Sequence, residues 1–512
     1  MNIINCTDSF SDPKTISPEP IHLDCMCCSQ DQNVNPSREK NVIQDFPIGR
    51  FMKFLKHIKL RNILKRITDP RDPQKTRYCL DFLLQWALSV FFFRTESLND
   101  LQQSFNKVPF HRKKSLWNFF DLPEGSSLPH RQTVSNLLAL LIPEEINTLL
   151  CQLFRWAIKS KVFYNHQQVL GSVFGLACDG FVVHHYSRPH SFNESGENTC
   201  PYCLSRTHNK GTPEEKTYWM HAFVNIAVIF PGGIQLPLYV HALKAQQLQE
   251  HEAASDEKHK QECELQAARE ILPRILKEFP RLSFILLGDS LYANEPLIKL
   301  CNQLRLPFLI VRQEGSLKNL AKRCDKLEQI EVYQSYQVQK TDSLKNGGKL
   351  ETTLRWFNGE RVGDQEVHVI RFLELKHPSD GSSSKWYKTE WLSSQRVSKR
   401  NCFSLVKIAR QRADHEDLHN TLKNRGFNAK HDYARRDANA ALIWKLLMFV
   451  AFWIFELFSC TVAAQDSKGS SSWKSFARDL LIDLIREPWE ILATSLSLCK
   501  ERMQFRWNFS GH

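Results

Sequence analysis

The segment Ser283-Phe-Ile-Leu-Leu-Gly-Asp289 is a short apolar run that ends in an aspartate. A run of this length beside a turn residue predicts a buried β-strand. Before it, Lys258 to Phe279 predicts a helix that is kinked or interrupted around Pro273. After it, Asn294-Glu-Pro296 has the residues of a helix cap and first turn, and Pro307 to Arg312 predicts another strand. This alternation of strands and helices predicts an α/β fold.

A second apolar run earlier in the chain has the same form. Ser172-Val-Phe-Gly-Leu-Ala-Cys178 predicts a buried strand that ends at Asp179. Open α/β sheets bind their ligands beyond the carboxyl ends of the strands. If the two strands are parallel neighbours, Asp179 and Asp289 lie at one edge of the sheet. Either aspartate alone is more typical of a turn or helix cap.

Further strands are predicted on both sides of Asp289. The runs Tyr218 to Ile229 and Ile234 to His241 flank Pro231-Gly-Gly233, which indicates a β-hairpin. Between residues 328 and 393 the pattern is again of the β type, including Leu354-Arg-Trp-Phe357 and Glu366 to Glu374. The chain therefore carries a β-rich segment after its central strands.

A densely charged segment, Arg410 to Phe427, follows that β-rich region. If it is one helix at about 100° per residue, four polar side chains form a stripe: Arg412, Glu416, His419 and Lys423. A charge run of this kind is most often a solvated helix face. A carboxylate flanked by two cations is also what a metal and phosphate site requires. Asp179, Asp289 and Glu416 would supply three carboxylates, which suit two Mg²⁺ ions because hard cations prefer oxygen ligands.

These residues together resemble the DDE transposases of bacterial insertion sequences. The resemblance rests on Asp179, on Gly288-Asp-Ser-Leu-Tyr292, and on Arg412 followed by Glu416 and Lys423 at intervals of four and seven residues. It is closest to the group whose signature is Tyr, two residues, Arg, three residues, Glu, six residues, Lys. Ala409 stands where that signature has Tyr. The resemblance covers roughly residues 43 to 460. It implies an α/β fold with a ribonuclease-H-like mixed sheet, flanking helices, a β-rich insertion and an all-helical N-terminal domain.

The resemblance also implies roles for individual residues. Asp179, Asp289 and Glu416 would be catalytic and would hold Mg²⁺ or Mn²⁺. The DNA-binding residues would lie along the same helix: Arg412, Lys423, His419, Asn420 and Arg425. Arg offers a planar fork to phosphate oxygens and Lys a point charge. We expect His419 to be a structural or phosphate contact rather than a catalytic base.

The expected function is a transposase that binds transposon ends and catalyses metal-dependent DNA cleavage and strand transfer. Two alternatives use the same residues: a metal-dependent nuclease without strand transfer, and a DNA-binding remnant without catalysis. Lys and Arg number 68 against 55 Asp and Glu, which gives a net charge of +13 and favours a polyanionic partner such as DNA. By the resemblance, pairing of two transposon ends makes a homodimer on DNA the expected assembly.

Cys200-Pro-Tyr-Cys203 indicates a second site. Together with His208 it suits a structural Zn²⁺ ion, and His184, His185 and His190 lie upstream. The spacing does not mark a complete set of four ligands, so reduced loop cysteines are the alternative. Glu264, on the helix before Asp289, has a solvated helix face as its default interpretation, with a role in the acidic site as the alternative.

Six segments are predicted in the 512 residues, and the helical N-terminal domain is a possible DNA-binding domain. In chain order they are a flexible tail (1–42), the helical domain (43–165), the first part of the catalytic core (166–312), the β-rich insertion (313–400), the completion of the core (401–465) and a helical tail (466–512). Fifteen scattered cysteines and the sequence from Met1 to Pro20 indicate a reducing compartment and no secretory signal. We therefore expect a cytoplasmic, nucleoid-associated protein. Ala440 to Ala463 is long enough to cross a membrane, but it contains Lys445 and Glu456, which favours a buried helix and no membrane association.

Overall fold

The computed structural model describes residues 46–163, 173–230, 233–245, 256–344, 347–379, 384–431, 433–434, 437–498 and 507. Within these ranges the side chains of residues 184–185, 256–263, 385, 414–416 and 495–498 are not described. The chain divides into two units, Met1–Gln44 and Asp45–His512. The tail predicted at residues 1–42 lies outside the described residues.

In the part of the chain that the structure describes, ten strands form a single mixed sheet. They are β1 (Val173–Tyr186), β2 (Cys203–His208), β3 (Lys216–Ile229), β4 (Gln235–Ala242), β5 (Ser283–Gly288), β6 (Phe308–Arg312), β7 (Gln337–Ser343), β8 (Lys349–Val362), β9 (Gln365–His377) and β10 (Lys385–Ser393). Their order is β2-β3-β1-β5-β6-β10-β9-β8-β7, and β4 also pairs with β3. The central strands β1, β5 and β6 are parallel, and the other pairs are antiparallel. The α/β fold with a mixed sheet and the β3–β4 hairpin are confirmed.

Strand β1 is longer than the sequence predicts. It does not end at Asp179 but continues to Tyr186. The reason is its antiparallel partner: β1 pairs with β3 from Gly175 opposite Ile229 to Tyr186 opposite Trp219. The backbone at Asp179 therefore has a strand partner, and this pairing overrides the turn tendency of the Asp-Gly sequence.

The β-rich segment extends the same sheet. Strand β10 pairs with β6, with Trp391 opposite Val311. A buried ion pair between Arg312 and Glu390 crosses this junction. Arg371 of β9 donates from Nε to the other oxygen of Glu390 at 2.8 Å. Strands β7 to β10 of the predicted insertion are thus joined to the central strands by hydrogen bonds and buried charges.

Seventeen α-helices accompany the sheet in the described residues. They are α1 (Pro47–His57), α2 (Leu60–Leu64), α3 (Leu80–Phe92), α4 (Leu98–Asn106), α5 (Lys114–Phe119), α6 (Arg131–Leu140), α7 (Pro143–Lys159), α8 (Asp256–Glu278), α9 (Glu295–Gln303), α10 (Lys318–Glu328), α11 (Glu331–Gln334), α12 (Cys402–Arg410), α13 (Asp414–Asn424), α14 (Ala438–Ser459), α15 (Val462–Lys468), α16 (Trp473–Arg486) and α17 (Trp489–Leu498). The helical character predicted for the N-terminal segment is confirmed over residues 46–163. Asn294 caps α9 as predicted, since its side chain accepts a hydrogen bond from the Leu297 amide at 3.1 Å. Helix α8 contains Pro273 and remains one element.

Helix α14 is the central helix of the hydrophobic core. Within the described residues it is the single helix long and apolar enough to cross a membrane. Helices α6 and α7, with a bend of 94° between them, reach that length and apolar character only when taken together. Most of α14 is buried inside the protein, against α3, α6, α7 and β4. The Lys445 ammonium donates to the carbonyl oxygens of Ala429 and His431 at 2.7 Å each. These hydrogen bonds offset the free-energy cost of burying the Lys445 ammonium in an apolar environment.

The charged segment from Arg410 to Phe427 is not one helix. Helix α12 ends at Arg410, a 3₁₀ turn covers Gln411–Ala413, and α13 begins at Asp414. The prediction of a continuous helical stripe is therefore wrong at its first member, since Arg412 lies in the turn between two helices. Leu418 and Leu422 are buried, so one face of α13 packs into the core.

Candidate active site

Strand register brings Asp179 and Asp289 together. In the parallel pair β1–β5, Ala177 lies opposite Leu287, and each aspartate follows two residues later. Asp289 keeps an extended backbone after β5 ends, so the two aspartates occupy equivalent positions on adjacent strands. Leu287 packs in a hydrophobic cluster with Leu405 of α12. Because alternate strand residues share a face, both aspartates face the side of the sheet that carries α12.

Arg412 lies between the two carboxylates. Its Nη2 atom is 3.6 Å from Asp179 Oδ2 and 3.7 Å from Asp289 Oδ2. All three side chains are largely buried, which strengthens their electrostatic interaction relative to a surface pair. Asp289 also caps the following 3₁₀ turn by accepting from the Leu291 amide at 2.9 Å. One cation thus faces two carboxylates from neighbouring strands.

His419 of α13 approaches Asp179, and Lys423 of the same helix lies beside Phe181. His419 stacks on the Phe181 ring at 4.6 Å between centroids, and its Nδ1 lies 3.9 Å from Asp179 Oδ2. Burial, followed by the charges of Lys423 and Arg412, lowers the pKa of His419 to about 3. The imidazole is therefore neutral near pH 7. The Lys423 ammonium lies 5.8 Å from the centroid of the Phe181 ring, within the range of a cation–π contact.

The remaining residues predicted along this helix have different placements. The backbone of Glu416 belongs to α13, three residues before His419, and its side chain lies outside the described part of the structure. Asn420 is exposed, and its side-chain oxygen accepts from the Asn424 amide at 2.6 Å. Arg425 is exposed and pairs with Asp417 at 3.6 Å. Asn420 and Arg425 are therefore available at the surface beside the buried members of the site.

Asn225 lies beside Asp179 and was not predicted from the sequence. It is directly opposite Asp179 in the β1–β3 pair, and opposite residues of an antiparallel pair point to the same face. Asn225 is fully buried, and neither polar atom of its side chain has a hydrogen-bond partner among the described residues. An asparagine inside the apolar run Ala222 to Ile229 is the signal that would have identified it.

Glu264 of α8 lies behind the same part of β1. It is buried, so its interpretation as part of a solvated helix face was wrong. Its carboxylate lies against Gly180, where a Cβ atom would come within 2.4 Å of Glu264 Cδ. Gly180 and Asp179 point to opposite faces because they are consecutive strand residues. Glu264 therefore lies near Asp179 but on the opposite face of the sheet.

The cysteines of the predicted zinc loop lie in a different part of the sheet. Cys200 and Cys203 are buried beside His221 and His190, whereas His208 is exposed and packs on Tyr218. Five strand residues separate His208 from Cys203 along β2, which is about 17 Å. The structure does not bring His208 together with the two cysteines. The side chains of His184 and His185 lie outside the described part.

A family model matches part of the chain. The family described as DDE_Tnp_1-associated matches residues 61–154, which begin in α2 and end within α7. The match indicates a DDE-type transposase context for this chain and a transposase-related function. The matched residues lie entirely in the helical N-terminal segment. They include none of the three candidate site carboxylates, Asp179, Asp289 and Glu416. No curated protein matches the chain.

Proposed function

We propose that this protein is a DDE transposase that binds transposon ends and catalyses metal-dependent DNA strand cleavage and strand transfer. The observation that carries the proposal is the juxtaposition of Asp179 and Asp289 around one nitrogen of Arg412. The transposase-associated match at residues 61–154 supports the same class of protein from an independent part of the chain. The mixed sheet, its flanking helices and the β-rich insertion support the ribonuclease-H-like core that the sequence resemblance implies.

The donor set at this position fits divalent metal ions. Carboxylate oxygens are the ligands that Mg²⁺ and Mn²⁺ prefer, and two carboxylates facing one volume repel each other unless a cation compensates them. Asp179 and Asp289 would hold the metal, with Glu416 as the third ligand by its position on α13. When bound, two such ions stabilise the attacking and leaving oxygens of an in-line phosphoryl displacement.

The cations around the carboxylates would bind the DNA. A cluster of acids alone would repel the phosphate backbone, so Arg412 and Lys423 give the site its affinity for a polyanion. Phe181 fixes this arrangement, because both His419 and Lys423 contact its ring. Neutral His419 adds a polar contact without adding charge.

Cleavage and strand transfer on a DNA end test this proposal. The substrate is a duplex that carries the inverted repeat flanking the coding region, incubated with the full chain and Mg²⁺ or Mn²⁺. We expect metal-dependent nicking and strand-transfer products, both lost in Asp289→Asn and retained in Asp364→Asn, an exposed control in the β8–β9 turn. If the wild-type protein and Asp289→Asn are equally inactive, the proposed catalytic activity is wrong and a DNA-binding remnant is favoured. Cleavage without transfer products would instead favour a nuclease.

A further inference from the structure

Four metal-ligating side chains, one of them His221, lie near the middle of β3. Cys203 begins β2 and lies opposite His221 of β3, while His190 and Cys200 belong to the loop between β1 and β2. His221 precedes Asn225 by four strand residues, so the cluster lies about 13 Å along β3 from the acidic site. It is therefore separate from the carboxylates that the proposed function uses.

The distances within this cluster match those of ligands around one ion. Cys200 Sγ and Cys203 Sγ lie 3.4 Å and 3.2 Å from the same atom, His221 Nε2. Ligand atoms of His190, Cys200 and His221 all lie within 4.8 Å of one another. Sulfur and nitrogen bound tetrahedrally to zinc at 2.3 and 2.0 Å are about 3.5 Å apart. The two S···N separations are thus close to those of a tetrahedral site.

Cys200 and Cys203 differ from buried cysteines such as Cys151 and Cys301 because two imidazoles lie beside them. Cys200 and Cys203 are each 1% exposed. Burial raises the pKa of the Cys151 and Cys301 thiols to about 12. Cys200 and Cys203 instead face the imidazoles of His190 and His221. A buried thiolate requires a compensating cation, and the thiolate is the form of cysteine that binds metals.

The surrounding backbone also supports the ligands. The His190 amide donates to Cys203 Sγ at 3.1 Å. Asn198 holds the loop between the histidine and the cysteines, since its side-chain oxygen accepts from the Cys200 amide at 2.9 Å and its amide donates to the Cys203 carbonyl at 3.2 Å. Hydrogen bonds of this kind orient metal ligands in the outer shell of a site.

We propose that His190, Cys200, Cys203 and His221 bind one structural Zn²⁺ ion. Two thiolates and two imidazoles are a complete tetrahedral ligand set, and a structural zinc site has no open position. The ion would tie the β1–β2 loop to the first residue of β2 and to β3. It replaces the predicted set containing His208, because His221 reaches the cysteines through strand pairing and His208 does not.

Metal analysis of the untagged full chain tests this site without any DNA substrate. We expect about one zinc per chain after gel filtration, as for a closed structural site. Cys203→Ser and His221→Ala should reduce zinc content at least tenfold, whereas His208→Ala should retain it. A wild-type chain with less than about a tenth of an equivalent after growth with zinc would overturn the proposal, as would loss of zinc in His208→Ala with retention in His221→Ala.

A second measurement covers the case in which the ligand variants do not fold. X-ray absorption at the zinc edge of the wild-type protein should give a first shell of two sulfurs and two nitrogens. A shell of nitrogen and oxygen alone would overturn the assignment. Because neither measurement depends on DNA cleavage, the zinc site and the proposed transposase function succeed or fail separately.

Discussion

Asp179 of β1 and Asn225 of β3 lie directly opposite each other, and the side-chain amide of Asn225 is fully buried. An amide without a hydrogen-bond partner destabilises a folded protein by about 1–3 kcal/mol. We therefore infer that the buried Asn225 amide positions Asp179, or an ordered water beside it, when the metal is bound. Asn225 would then be a positioning residue that acts through the carboxylate.

We expect Asn225→Leu to separate stability from activity. Leucine removes the buried polar atoms at similar volume, so the melting temperature should stay the same or rise. Loss of a residue that orients a metal ligand typically costs about 10–100-fold in activity or metal affinity. The measurement is DNA nicking as a function of Mg²⁺ concentration, alongside thermal unfolding. Wild-type Mg²⁺ dependence in Asn225→Leu would show that the amide has no part in the site.

Lys423 is predicted to bind DNA without supporting the fold. Its ammonium lies near the Phe181 ring, and the alkyl chain is partly exposed. Removing one phosphate contact should weaken end binding and reduce the salt dependence of log K by about 1. The variants to compare are Lys423→Ala and Lys299→Ala, an exposed lysine of α9, by titration of a labelled DNA end at several salt concentrations. An unchanged salt slope in Lys423→Ala, or an equal change in both variants, would contradict this placement.

Gly180 faces Glu264, whose buried carboxylate occupies the space that a side chain at position 180 would need. A Cβ atom there would lie 2.4 Å from Glu264 Cδ, so Gly180→Ala forces the carboxylate or β1 to move. We expect a loss of about 1–3 kcal/mol in the free energy of unfolding, as for other overpacked sites. Gly175→Ala is the control on the same strand, since its nearest neighbour is the end of the Leu287 side chain at 3.1 Å.

A double-mutant cycle identifies the cause of that loss. Glu264→Ala removes the group that a new Cβ would meet, so Gly180→Ala should cost at least about 1 kcal/mol less in that background than in the wild-type protein. Equal costs in the two backgrounds, measured by urea unfolding, would mean that Glu264 does not limit the space at Gly180.

Local patterns were sufficient for some parts of the site and insufficient for others. Asp289 could be predicted because an apolar run and its terminal turn lie within seven residues. The position of Arg412 was predicted as helical, but a 3₁₀ turn carries it to the carboxylates instead. Asn225 and His221 reach their neighbours through the register of β3 with β1 and β2, and pairing between distant segments is not encoded in local periodicity. The same long-range pairing explains why β1 continues beyond Asp179.

The junction between β6 and β10 provides a final prediction about stability. Glu390 is buried and contacts two arginines, Arg312 across the junction and Arg371 on β9. Its removal would leave the buried Arg312 guanidinium without its carboxylate, whereas Arg371 keeps its ion pairs with Asp325 and Glu328. Glu390→Gln should therefore lower the free energy of unfolding by about 3–5 kcal/mol.

A second glutamate in the same sheet is the control for this prediction. Glu374 pairs with Arg410, whose side chain is 47% exposed. Because solvent screens such a pair, Glu374→Gln should cost less than about 1 kcal/mol. Urea unfolding of both variants checks the difference. If the two substitutions have equal effects, the buried network does not hold the β-rich segment to the central strands, and the backbone pairing of Trp391 with Val311 must suffice.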